Sequence, residues 1–235
     1  TLSGVYAFQG LPGLHDLEYP PPGATPAASP PLTARLIVEV EDTEDRFVPV
    51  AFAVEVPLPY RGVLTTAVGG SPPAADVPGF YLFSAPSRPA PLGLAVVRAE
   101  LVDAVSGAPA AHAVLEVERP DGELAYGLAG AQGRVVAFMP YPMVITTLGA
   151  SPPAPPAPLA GQRWPLVVRV RYAPARLVHP AGSTVPELRS VFHQAPAVLA
   201  VGAAGSGVPE HTVELAFGRE LVLRSENRST LLVEP

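Results

Sequence analysis

Cysteine is absent from the 235 residues. Disulfide frameworks, thiolate zinc sites and a cysteine nucleophile are thereby excluded. Lysine is absent as well, so all fifteen basic residues are arginine, and Asn227 is the only asparagine. Charged residues make up 15% of the chain, against about 25% in an ordinary soluble domain. Two readings of this deficit stand side by side. It marks surface destined for partner interfaces, which are depleted of charge, or it reflects a GC-rich genome in which alanine and proline accumulate. The net charge is −6 and the arginines are scattered singly. No basic stripe is available to neutralise phosphates, which argues against nucleic-acid binding. No run of about 20 apolar residues occurs, so no helical membrane insertion is expected. The first residues lack the basic segment and apolar core of a signal peptide. The expected location is the cytoplasm, or a particle assembled there.

What is abundant is proline, with 32 residues. Proline stops helices and confines strands to short lengths. Short alternating segments between Pro/Gly turns predict an all-β protein built of sandwich modules. Strands are expected over 33–41, 47–56, 79–86, 94–103, 111–118, 123–129, 134–140 and 163–174, with a last hairpin around Gly218. In 33–41, Leu36, Val38 and Val40 share one face, as period-two alternation requires. The 119–122 turn, Arg-Pro-Asp-Gly, places proline and glycine where a tight turn needs them. The one expected helix covers 186–194, with Pro186 in its first turn and Pro196 beyond its end. The expected organisation is a Pro/Gly-rich arm (1–31), an N-terminal β-module (32–90), a central sandwich (91–150), a polyproline linker (151–161) and a strand-helix-hairpin region (162–235) packed on the sandwich.

Chemistry is hard to find. His15, His112, His179, His193 and His211 show no metal-ligand spacing. The Gly-rich 202–207 stretch lacks a phosphate-loop lysine, and the acidic 41–45 run reads as a solvated turn more readily than as a calcium loop. No catalytic, metal or cofactor residue is assigned, no cofactor is expected, and the chain is read as non-enzymatic. Candidate partner contacts are of two kinds. The N-terminal arm carries Val5, Tyr6, Phe8, Leu11 and Leu14, too much apolar surface for a solvated tail. Two loops share Pro-Tyr, Thr-Thr and Ser-Pro-Pro-Ala: one has Tyr60, Thr65 and Thr66, the other Tyr141, Thr146 and Thr147. This recurrence marks either a duplicated module or a composition that favours alanine and proline.

The pattern Leu101-Val102-Asp103, Ser106-Gly107, Pro109, Ala113, Leu115, Val117 and Gly133 resembles the carboxypeptidase regulatory-like domain, departing from it at Gly130 and Val135. That resemblance implies a small transthyretin-like β-sandwich, itself non-catalytic. In it Asp103 and Ser106 would cap a turn, with Gly107 at positive φ. More widely, "SGVYAFQGLPGL", "DRFVPVAFAVEVP", "LFSAPSRPAPLGLAVVRAELVD" and "LAFGRELVLRS" are similar to accessory proteins encoded with phage-tail-like contractile injection systems. This second resemblance implies a structural or adaptor subunit whose partners are other proteins of the particle, with homo-oligomerisation within it left open. The alternative is a carbohydrate- or ligand-binding sandwich using Tyr60, Tyr141 and Trp164 as an aromatic platform.

Overall fold

A computed structural model describes residues 22–23, 34–56, 82–143, 158–201 and 207–235. Among them the protein is all-β: twelve strands and one short α-helix. The strands are β1 (Ala34–Val40), β2 (Val50–Val56), β3 (Leu94–Asp103), β4 (Val114–Glu118), β5 (Leu124–Leu128) and β6 (Arg134–Pro140). They continue with β7 (Arg163–Arg171), β8 (Val198–Ala200), β9 (Gly207–Val208), β10 (His211–Ala216), β11 (Leu221–Leu223) and β12 (Leu231–Glu234). The helix, α1 (Leu188–Phe192), is shorter than the 186–194 expected. Pro186 lies before it, and Glu187, in extended conformation, is its N-cap.

Two sheets face each other. One is antiparallel in the order β10-β7-β4-β5. The other is centred on β3, which pairs antiparallel with β6 on one side and parallel with β11 and then β12 on the other. β8 and β9 extend that sheet beyond β12. Alternation along the strands builds the core between the sheets. Ala95, Val97, Ala99 and Leu101 of β3 meet Leu115 and Val117 of β4 and Leu166, Val168 and Val170 of β7. Leu199, Leu215, Leu223, Leu231 and Val233 close it from the C-terminal strands. Each wholly buried leucine contributes roughly 1.5–3 kcal/mol.

Two expectations change. Residues 162–235 do not pack beside a finished sandwich: β7 and β10 form half of one sheet, and β8, β9, β11 and β12 most of the other. The segment around Gly218 is not a paired hairpin, because β10 joins β7 while β11 joins β3. Both arms put leucines into the same core, so the turn between them crosses from one sheet to the other. The strand expected over 79–86 is, in its described part, a single bridge between Ser84 and Phe47.

The outer face of β4 and β5 is apolar at one end. There Val114 and Leu128 are covered by Val48, Val50 and Phe52 of the β1–β2 region, by Phe83, and by Leu188, Val191 and Phe192 of α1. From this second core the chain wraps around the β5/β6 side of the sandwich. Val48 N–H donates to the Phe83 carbonyl and Ala85 N–H to the Arg46 carbonyl. Arg88 then reaches over the rings of Phe47 and Phe138, at 4.7 and 5.9 Å, while Arg98 donates to the Pro86 carbonyl. The β5/β6 side is therefore clasped by the chain itself, which is one way a sandwich protects edge strands.

Candidate functional site

Of the sequence-predicted contact residues, Val5, Tyr6, Phe8, Leu11, Leu14, Tyr60, Thr65, Thr66, Thr146 and Thr147 lie outside the described residues. Tyr141 is described, and it serves the fold. Its ring lies 4.8 Å from Phe217 and 5.7 Å from Trp164, centroid to centroid. Its hydroxyl accepts the Gly218 N–H at 3.0 Å. Trp164 is buried, with 2% of its surface exposed, so it offers no face for a sugar ring. The aromatic platform loses two of its three members to core packing, and the third, Tyr60, falls outside the described residues.

The buried polar side chains bind distant segments together. Asp103 ends β3, and its Oδ1 accepts the N–H groups of Val105 and Ser106 at 2.8 and 3.1 Å. The Tyr172 hydroxyl, just beyond β7, donates to Oδ2 at 3.2 Å, joining the two sheets. Gln194, 1% exposed, sits beyond α1. Its Oε1 accepts the Ala173 N–H at 2.9 Å, and its Nε2 donates to the His112 carbonyl at 2.8 Å and the Val191 carbonyl at 3.1 Å. Ser225 links the Ala200 carbonyl to the Leu232 N–H. Nothing in the sequence around Gln194 or Ser225 announces these roles, since their partners are remote.

On the outer face of the four-stranded sheet, acid and base alternate across strands. Arg169 binds Glu118 at 2.6 Å and Glu210 at 2.8 Å; Arg171 binds the buried Glu116; Arg163 binds Glu214 at 3.2 Å. At the β4–β5 turn, Arg119 is held by Asp121, Glu123 and the Pro140 carbonyl. It borders a cleft of about 270 Å³ whose other walls include Phe83, Leu124, Tyr126, Phe138 and Met139. That arginine is already neutralised by the two carboxylates. In the acidic 41–45 run, Asp42 accepts the N–H groups of Glu44 and Arg46 and binds the Arg46 side chain. It thus folds its own turn, and no cluster of three or more metal-ligating side chains occurs among the described residues.

Two features lie on the opposite side from the clasp. The four-stranded sheet ends at β10, which has no second neighbour among the described residues. Just inside it a notch of about 110 Å³ opens between the sheets, lined by Val168, Leu199, His211, Val213, Leu221 and Leu231 among others. The alternation of residues 211–216 identifies a strand from sequence but does not tell an edge from a centre.

His112 has a φ of +60°, and its Nδ1 is buried with no hydrogen-bond partner. Its ring lies 6.5 Å from that of His179. Burial, and then repulsion from His179, lowers its pKa from the ordinary 6.5. The folded protein therefore holds the ring neutral, while the unfolded chain takes up the proton at its ordinary value. Stability is expected to fall as the pH drops below 6.5. His112→Asn tolerates the left-handed backbone and removes the titration. Urea midpoints at about pH 7.5 and 5.5 test this against the ordinary range. The drop on acidification is expected to be smaller in the variant, and an equal drop would refute the assignment.

Among the described residues no helix is long and apolar enough to cross a membrane. In comparisons with protein-family models, curated proteins and solved structures, the chain matches none of them.

Proposed function

We propose that the chain is a non-enzymatic structural or adaptor subunit of a multiprotein assembly, a phage-tail-like contractile injection particle. The observation that carries this reading is how the described polar and aromatic side chains are spent. Asp103, Tyr172, Gln194 and Ser225 tie strands together. Arg119, Arg169 and Arg171 are neutralised by neighbouring carboxylates, and Tyr141 and Trp164 are packed against Phe217. A chain so invested supplies shape and rigidity. The resemblance of residues 99–142 to the carboxypeptidase regulatory-like domain supports an accessory role. The wider likeness to accessory proteins of injection systems supports the kind of particle.

The test is sedimentation of a lysate from the source cells, with the chain tagged at its own locus. It is expected in the dense fraction beside sheath and tube proteins, far from where a free 24.3 kDa chain runs. A chain found only in the light fraction, and retained on immobilised glycans, would replace this reading with the carbohydrate-binding one.

A further inference from the structure

We infer that the far edge of β10 receives an extended strand from a different protein, with apolar residues facing the sandwich interior and Arg or Lys facing outward. Among the described residues this edge has no neighbour, and the ladder shows which of its backbone groups face outward. Phe217 N–H donates to the Gln162 carbonyl, which makes this a hydrogen-bonded pair of the β7–β10 register. Such pairs alternate along antiparallel strands. Leu215, Val213 and His211 therefore also bond to β7, and the backbone groups of Thr212 and Glu214 point away from it. Pro165 fits this phase: it stands opposite Glu214, at a position where β10 requires no N–H from it. Unpaired N–H and C=O groups in this array are complementary to extended backbone.

The side chains specify what that backbone carries. An added strand turns alternate residues toward the interior, over the apolar notch beside Val213 and His211. On the outer face, acid and base alternate from Glu118 through Arg169 to Glu210, and from Arg163 to Glu214. Each row ends in a carboxylate at the open edge, with the Glu210 and Glu214 side chains 52% and 63% exposed. A basic residue on the next strand continues the alternation. A second copy of β10 carries no arginine in residues 210–216 to answer these carboxylates, so the occupant is a different chain. The existence of such a partner rests on the subunit reading; the edge itself rests on the ladder.

The test titrates the full chain with a labelled nine-residue peptide alternating valine and arginine, and with one alternating valine and glutamate. Binding is followed by fluorescence anisotropy and by amide exchange. The valine-arginine peptide is expected to bind at least tenfold more tightly than its acidic counterpart and to slow exchange at Thr212 and Glu214. Thr212→Pro removes an N–H the fold does not use, and is expected to weaken binding at least tenfold. No binding, binding without slowed exchange at these two amides, or equal binding by a folded Thr212→Pro variant would overturn the inference. If that variant does not fold, the exchange result on the unaltered chain decides. Binding at β10 by a chain that sediments with no particle overturns the subunit reading alone. A chain that sediments with the particle yet fails the peptide test overturns the edge assignment alone.

Discussion

Gly133→Ala is expected to destabilise the protein by about 3–4 kcal/mol. The sum combines the cost of a side chain in left-handed backbone, roughly 1–2 kcal/mol, with the weakening of two backbone hydrogen bonds at about 1 kcal/mol each. Gly133 has a φ of +73°, and a Cβ there would lie 2.2 Å from the Leu101 carbonyl oxygen and 3.2 Å from the Ala110 nitrogen. Those atoms are themselves bonded: Ala110 N–H donates to the Leu101 carbonyl, and Leu101 N–H to the Gly133 carbonyl. The collision is with backbone, so no rotamer change relieves it. Gly122 is the control. Its φ is +83° but nothing lies within 4 Å of the added Cβ, so Gly122→Ala is expected to cost only the backbone term, roughly 1–2 kcal/mol. Denaturant midpoints measured at constant slope compare the two. Equal losses would mean that the close approach at Gly133 contributes nothing.

Asp103→Ala is expected to cost about 2–4 kcal/mol, because the buried Tyr172 hydroxyl and two part-buried N–H groups lose a charged acceptor. The buried Tyr172 hydroxyl would be left unpaired, and the Val105 and Ser106 N–H groups would exchange a charged acceptor for water. The pH dependence follows from the same contacts. Burial alone would raise the Asp103 pKa, but the Ser106, Val105 and Tyr172 donors outweigh it and hold the carboxyl below its ordinary 3.8. Its contribution is therefore present above that value and lost as the pH falls below it. Tyr172 is shifted the other way: burial, and then the charge of Asp103, pushes it up to about 12 from 10.0. Its contribution is present below pH 10 and lost as the pH rises toward 12. Asp103→Asn should flatten the acid limb and Tyr172→Phe the alkaline one. A double-mutant cycle measures the coupling between them, and zero coupling would show that the cross-sheet bond does not matter.

Local chemistry was legible in the sequence, and long-range pairing was not. Asp103, Ser106 and Gly107 form a turn because a carboxylate, a hydroxyl and a glycine at that spacing satisfy backbone groups only a few residues away. The structure has those bonds, with Gly107 at φ +71°. The proline and glycine of 119–122 likewise fix a turn locally, closed by the Gly122 N–H on the Arg119 carbonyl. Alternation found β3, β5 and β6 within a residue of their ends, and β4 and β7 within three. Period-two alternation says which side chains share a face but not which strand lies beside which. That is why residues 211–223 read as a hairpin although their arms belong to different sheets. Tyr172 is 69 residues from Asp103 and Gln194 is 82 from His112. Nothing local selects such partners. Trp164 and Tyr141 sit at strand ends in sequence, where core packing is the default reading but exposure and burial look alike. In the fold, Phe217 arrives from β10's end to cover them.

The central claim is that the described residues close the β5/β6 side of the sandwich and leave the far edge of β10 without a neighbour. Residue-resolved amide exchange on the free full-length protein tests this most directly. Val213 and Leu215 should exchange slowly and Thr212 and Glu214 quickly, an alternation along one strand. Across the molecule, the Val48 and Ala85 amides of the clasp should be slow. Uniform protection along β10, or fast exchange at Val48 and Ala85, would contradict the account.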